Sequence, residues 1–151
     1  MILLLNIGEK VKSTNIVTKN ILLVDDEPDI TFTLKYILKT YGFKVDTFTD
    51  PTIALKYFKI NFYDLVILDI KMTKMTGFEL YTKIREKDPK VKICFLTATA
   101  IFTEQFKKSL LKLDKNIDKD FFIQKPIITE DLIKRITWII NKNNEEIIYI
   151  N

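Results

Sequence analysis

The 151-residue sequence contains no histidine, a single cysteine and only three glycines. Without histidine there is no Ser-His-Asp or Cys-His machinery, no histidine general base and no imidazole metal ligand. The single cysteine, Cys94, excludes an internal disulfide bond and a multi-cysteine zinc site. The three glycines form neither a P-loop nor a Gly-x-Gly-x-x-Gly motif, which argues against ATP-driven and dinucleotide chemistry. Chemistry in this chain must therefore use carboxylates, hydroxyls and lysines.

Positive and negative side chains are nearly balanced, with 24 Lys and Arg against 20 Asp and Glu. The two signs are interspersed as on an ordinary solvated surface, so the net charge of +4 does not by itself predict a nucleic-acid partner, and we expect none. The apolar start, residues 1–5, is far shorter than the ~20 residues of a membrane span and has no basic segment before it. We therefore expect a cytoplasmic protein with no membrane contact.

Strand and helix patterns alternate along the chain. Four short apolar runs predict strands that are buried on both faces, at residues 21–24, 65–68, 93–96 and 121–123. The alternating segment 44–48 predicts an edge strand. Helix-start signals follow each strand, at Pro28, Asp50-Pro51, Thr76, Thr103 and Thr129. Since parallel strands need long crossovers, this alternation predicts an α/β domain with a parallel sheet covered on both faces.

Polar side chains follow most of the predicted strands where they end. Asp25 and Asp26 follow the first strand, Asp69 the third, Thr97 the fourth and Lys125 the fifth. In open parallel sheets the functional crevice lies beyond the carboxyl ends of the strands, so these groups are predicted to converge. Clustered carboxylates favour a cation, and hard oxygen ligands suit Mg²⁺. A carboxylate can accept a phosphoryl group, which the metal, the lysine and the hydroxyl would stabilise.

Four sequence blocks carry a resemblance to a known family. VDDEP at 24–28, LDIKM at 68–72 with MTG at 75–77, LTA at 96–98 and KP at 125–126 resemble the receiver domain of two-component response regulators. The resemblance covers residues 20–142, leaving an N-terminal extension, 1–19, and a tail, 143–151. It implies a flavodoxin-like (βα)5 fold with strand order 2-1-3-4-5. Both flanking segments are too short for an output domain, so we expect a stand-alone receiver, and the whole chain is also similar to receiver-only proteins of archaea.

The resemblance also implies the roles of the metal and acceptor residues. Asp69 would be the phospho-acceptor and a ligand of Mg²⁺. Asp26 would bind the metal directly, and Asp25 would support it largely through water. Lys71, two residues after the acceptor, would contribute its backbone carbonyl. The donor set implied is therefore Asp25, Asp26, Asp69 and the Lys71 carbonyl.

By the same resemblance, Thr97 and Lys125 would bind the phosphoryl group, and Phe122 would be the rotating aromatic of the switch, acting with Thr97. Because the chain has no histidine, the phosphohistidine donor must be a sensor histidine kinase or a histidine phosphotransfer protein. The protein would catalyse only its own phosphorylation and dephosphorylation. It would signal by contact with a downstream protein through the fourth helix, fifth strand and fifth helix, and homodimerisation is left open.

The chain departs from the family pattern in several places. Thr73 stands where a proline usually follows the acceptor loop, and Thr76 replaces the common acidic residue before Gly77. Phe122 lacks the hydroxyl of the common tyrosine. The connection before the last strand is long, with the extra length at residues 112–120. These departures concern loops and the output surface, while the acceptor constellation is intact.

Several alternatives remain open from the sequence. Asp25-Asp26 could cap the helix that begins at Pro28, and Cys94 is expected to be inert core. Trp138 lies opposite the apolar face of the last helix, where it could contact a partner or be covered by the tail at 147–150. Two rival functions are a pseudo-receiver that takes no phosphate and a Mg²⁺-dependent phosphatase with Asp69 as nucleophile. The phosphatase class requires a second acid two residues after the nucleophile, where this chain has Lys71.

Overall fold

The structure, a computed structural model, describes residues 18–98, 108, 112 and 121–145. The described strands form one five-stranded parallel sheet in the order β2-β1-β3-β4-β5. They are β1 (Asn20–Val24), β2 (Lys44–Phe48), β3 (Leu65–Asp69), β4 (Lys92–Thr97) and β5 (Phe122–Gln124). The flavodoxin-like strand order expected from the sequence is confirmed, with β2 at an edge. β5 begins one residue later than predicted.

The described helices are α1 (Pro28–Thr40), α2 (Pro51–Lys56), α3 (Gly77–Lys87) and α4 (Thr129–Glu145), the last being the fifth helix of the sequence analysis. The predicted start signals are confirmed for α2 and α3. Asp50 accepts a hydrogen bond from the Thr52 N–H, and Thr76 forms a capping box with Glu79. The helix predicted to begin at Thr103 and the segments 1–17, 113–120 and 146–151 lie outside the described residues.

Two apolar clusters cover the two faces of the sheet, because successive strand residues point to opposite sides. One cluster packs against α2 and α3 and contains Leu22, Val24, Val66, Leu68 and Phe95 among others. The other packs against α1 and α4 and contains Ile21, Leu23, Ile67, Cys94 and Leu96 among others. Burial raises the pKa of the Cys94 thiol to about 12, so this cysteine is inert core, as expected. Among the described residues, every helix is too short or too polar to span a lipid bilayer.

The strand register brings the polar strand ends to one level. Val24 pairs with Leu68 and Thr97 pairs with Gln124, so the residues that follow β1, β3 and β5 meet at the carboxyl edge of the sheet. Asp69 is itself the last residue of β3 and pairs with Leu96 of β4. The sheet therefore gathers side chains that are far apart in sequence into one pocket.

Candidate functional site

The centre of this pocket is an ammonium group between two buried carboxylates. Lys125 Nζ lies 2.9 Å from Asp25 Oδ2 and 3.5 Å from Asp69 Oδ1. Asp25 is fully buried and Asp69 is 4% exposed. The backbone N–H of Lys125 donates to the Thr97 carbonyl oxygen at 2.7 Å, which fixes the start of this loop against the end of β4. Asp25, Asp69, Thr97 and Lys125, which the sequence predicted to converge, do lie together.

Glu27 belongs to the same pocket, and the sequence analysis did not include it. Its carboxylate lies 3.4 Å from Lys125 Nζ, and its backbone N–H donates to Asp25 Oδ1 at 2.9 Å. Asp25, Glu27 and Asp69 each place a carboxylate oxygen within 4.8 Å of the others. We call these three side chains the carboxylate group. In the sequence, the feature that could have indicated a site role for Glu27 is its position as the third of three consecutive acidic residues. Exposed acidic residues at the start of a helix are common, however, in proteins where they take no part in a binding site.

Asp26 lies beside the carboxylate group and is half-buried. Its Oδ2 accepts a hydrogen bond at 2.9 Å from the backbone N–H of Thr73, in the loop that follows β3. Glu27 occupies the N-cap position of α1, and its side chain makes no capping hydrogen bond. The carboxylates of Asp25 and Asp26 are thus directed to the N–H groups of Glu27 and Thr73, which does not favour the alternative that they serve to cap α1.

The electrostatics of the pocket show an excess of negative charge. Burial raises the pKa of the Asp69 carboxyl to about 6, the charges of Asp25 and Asp26 add to this rise, and Lys125 opposes it. Burial alone would lower the pKa of Lys125, but its hydrogen bond to Asp25 and the charges of Asp69 and Glu27 raise it. The lysine therefore stays charged and compensates only part of the charge of four neighbouring acids.

The donor set of the pocket fits a hard divalent cation. The carboxylate group offers three oxygens close together, and Asp26 stands beside it. Oxygen-only ligation and unbalanced negative charge are the conditions that Mg²⁺ prefers, usually with one or two carboxylates and several waters. Lys71 is exposed in the loop after β3, two residues from Asp69. Asp25, Glu27 and Asp69 lie close enough together to share such an ion, with Asp26 adjacent.

Thr97 lies at the pocket end of β4, whereas Phe122 lies at the opposite end of the neighbouring strand β5, level with Phe95. Thr97 ends β4 and is 3% exposed, and Phe122 begins β5 and is 4% exposed. The Phe122 ring stacks on Phe95 at a centroid distance of 5.2 Å and an interplanar angle of 18°. The aromatic side chain is thus packed inward against β4 in this structure.

Comparisons with known proteins agree with this geometry. Residues 21–137 match the family model described as "Response regulator receiver domain". The chain is 32% identical over 134 residues to the transcriptional regulatory protein RprY of Bacteroides fragilis, a match that covers 85% of this chain and 54% of RprY. It is 41% identical over 88 residues to the sensor protein EvgS of Escherichia coli, covering 58% of this chain and 7% of EvgS. The chain therefore spans about half the length of RprY and a small part of EvgS.

Solved structures of receiver domains have the same fold. A CheY-like response regulator receiver domain protein from Methanospirillum hungatei matches with a TM-score of 0.70 at 26% identity, covering 86% of this chain and 99% of that one. The chemotaxis protein CheY4 of Vibrio cholerae matches with a TM-score of 0.68 at 24% identity, which shows the fold alone, and covers 82% of this chain and 99% of its own. The family match, the strand order and the acidic pocket at the carboxyl edge of the sheet together show that this chain belongs to the response regulator receiver-domain family.

Proposed function

We propose that Asp69 accepts a phosphoryl group from a phosphohistidine of a partner protein, in a reaction that requires Mg²⁺. The observation that carries this proposal is the buried Asp69 carboxylate, 3.5 Å from the Lys125 ammonium and surrounded by other acids. Phosphoryl acceptance and Mg²⁺ binding are typical of the receiver family. The proposed donor is a phosphohistidine of a sensor histidine kinase or of a histidine phosphotransfer protein, because residues 1–151 themselves contain no histidine.

In the proposed reaction, an ionised oxygen of Asp69 attacks phosphorus. One oxygen–phosphorus bond forms as the nitrogen–phosphorus bond of the partner's phosphohistidine breaks, and the partner's imidazole leaves. When bound, Mg²⁺ supplies positive charge against the carboxylates and the phosphoryl oxygens. Lys125, already beside Asp69, donates to one phosphoryl oxygen, and the Thr97 hydroxyl at the end of β4 donates to another.

Ionisation of Asp69 limits this reaction on the acid side. The pKa of Asp69, raised to about 6, leaves the carboxylate mostly ionised at neutral pH and protonated in more acidic solution. A cation on the carboxylate group favours the ionised form, so it widens the pH range in which Asp69 can attack. Phosphorylation should therefore fall in acidic solution, and raising the Mg²⁺ concentration should move this decline to lower pH.

The signal would pass to a downstream protein through the side of the domain that carries β5 and α4. Phosphorylation would draw Thr97 to the phosphoryl group and shift a pre-existing equilibrium in the packing of Phe122. Trp138 on α4 is 40% exposed, and its ring lies 6.3 Å from that of Phe121. Lys142 Nζ lies 4.7 Å from the Trp138 ring. This exposed aromatic and basic surface is suited to a protein partner or to a second copy of the chain.

The tail at 147–150, the alternative cover for Trp138, lies outside the described residues. We also propose that residues 20–142 form the receiver unit, flanked by segments 1–19 and 143–151. In this proposal the protein catalyses only its own phosphorylation and dephosphorylation.

The rival phosphatase function lacks a general acid in the expected place. Lys71 stands two residues after Asp69, and the loop 70–76 contains no acid. The closeness of Asp69 to Lys125 and to the other carboxylates argues against a pseudo-receiver.

Incubation with acetyl phosphate and Mg²⁺, followed by intact-mass measurement, separates the three functions. We expect a single phosphoryl adduct in the wild-type protein and none in Asp69→Asn. No adduct would indicate a pseudo-receiver, and steady phosphate release from varied esters would indicate a phosphatase.

A further inference from the structure

The loop between β3 and α3, residues 70–76, is anchored on both sides of its centre, first at Ile70, whose N–H donates to the Leu96 carbonyl oxygen at 3.1 Å. Its far end is Gly77, where an added Cβ would clash with the carbonyl oxygen of Asp69, so the loop closes tightly behind the acceptor. Lys74 adopts a left-handed conformation with φ of 63°, and its ammonium pairs with the N-cap carboxylate of Asp50. These contacts give the backbone at the centre of the loop a defined position.

At that centre, the backbone N–H of Thr73 points at the Asp26 carboxylate and donates to Oδ2 at 2.9 Å. Asp26 is also the one member of the run Asp25-Asp26-Glu27 that does not contribute an oxygen to the carboxylate group of the described residues. It is nevertheless close enough for its charge to act on Asp69. The Asp26 carboxylate therefore lies beside the carboxylate group, but one of its oxygens accepts a hydrogen bond from the loop at residues 70–76.

We infer that the Thr73 N–H competes with the divalent cation for the Asp26 carboxylate, which makes Thr73 a positioning residue that sets the cation affinity of the pocket. This inference rests on the proposed function, since it assumes a Mg²⁺ site at the carboxylate group. A hydrogen bond from an N–H to a carboxylate is charge-assisted and draws electron density from the oxygen that a cation would otherwise use. A cation bound at Asp26 Oδ2 would use the same oxygen to which the Thr73 N–H donates, so this hydrogen bond would weaken or break.

The competition is specific to a backbone group, which allows a matched pair of variants. Thr73→Pro removes the N–H, while Thr73→Ala removes the side-chain hydroxyl and keeps the N–H. With Mg²⁺ alone as the probe, calorimetric titration of the full chain should show about three- to tenfold tighter binding for Thr73→Pro, since the bond is charged but solvent-exposed. Thr73→Ala should bind as the wild type does. Thermal unfolding of each variant establishes that it is folded.

A second measurement needs no substitution. Hydrogen exchange of the Thr73 amide, followed by NMR on the wild-type chain, should become several-fold faster when Mg²⁺ is added, because the cation takes the carboxylate that protects this amide. Unchanged or slower exchange would overturn the inference, as would equal or weaker Mg²⁺ binding by folded Thr73→Pro, or an equal gain in Thr73→Ala. Absence of any Mg²⁺ binding by the wild-type protein would refute the cation site itself and this role of Thr73 with it.

Discussion

Ionising Asp69 in the folded protein costs stability, and the substitution Asp69→Asn should reveal this cost as a function of pH. The pKa of this carboxyl is raised from its ordinary value of 3.8 to about 6, chiefly by burial and then by the charge of Asp25. Between these two pH values the folded state binds more protons at Asp69 than the unfolded state does. The contribution of this carboxyl to the free energy of unfolding is therefore fully present below its ordinary pKa, and it is lost as the pH rises through 6.

The magnitude follows from the size of the pKa change. A rise from 3.8 to about 6 is equivalent to about 3 kcal/mol. The asparagine side chain has nearly the same shape as aspartate and carries no charge. The free energy of unfolding of the variant minus that of the wild type should thus increase by up to about 3 kcal/mol between about pH 4 and about pH 7.5.

Urea unfolding of both proteins at several pH values, in the presence of a chelator, measures this difference directly. Mg²⁺ provides an internal control, because a cation that binds the folded wild type at a hundred times its Kd stabilises it by about 2.7 kcal/mol. Adding Mg²⁺ at neutral pH should therefore shrink or reverse the advantage of Asp69→Asn. A difference that is independent of pH, or one in which the wild type gains on the variant as pH rises, would refute the electrostatic reasoning.

Three further substitutions test the pocket and its support. Lys125→Gln leaves buried Asp25 and Asp69 without their ammonium partner, so at neutral pH it should lower the free energy of unfolding in urea by about 3 kcal/mol or more. Mg²⁺ should restore part of this loss. An unchanged free energy of unfolding would contradict the pairing. Glu27→Gln removes one member of the carboxylate group and should weaken Mg²⁺ binding several-fold in calorimetry. Asp29→Asn removes the same charge from the first turn of α1 and should leave Mg²⁺ binding unchanged. Equal effects of the two substitutions would mean that Glu27 acts only through its charge and does not bind the cation. Thr76→Ala breaks the capping box of α3 and should lower the free energy of unfolding by about 1 kcal/mol, and a loss well below this would mean that the cap is not used.

Local chemistry made the strands and the central pocket predictable from the sequence. Apolar runs mark strands that are buried on both faces, and the parallel topology brings their carboxyl ends to one edge. This is why Asp69, Thr97 and Lys125 could be grouped although they are far apart in the chain. The start of β5 was predicted one residue early, because Phe121 is as apolar as Phe122 and only the pairing with β4 separates them.

Contacts that depend on tertiary geometry could not be predicted in this way. Glu27 is a mostly exposed acid, and its place in the carboxylate group follows from the position of Lys125 on another loop. The hydrogen bond from Thr73 to Asp26 joins residues that are 47 positions apart, and it uses a backbone group that any residue except proline provides. No residue type signals such a bond, so it is visible only in the folded chain.

The central claim is that Asp69 itself takes the phosphoryl group, with the help of a divalent cation. Borohydride reduction converts an aspartyl phosphate to homoserine, so peptide mass analysis after treatment with acetyl phosphate can locate the modified residue. The account predicts homoserine at position 69 alone, formed in the presence of Mg²⁺ and absent when a chelator is added. Modification at position 25, 26 or 27, or at position 69 without any need for a cation, would contradict it.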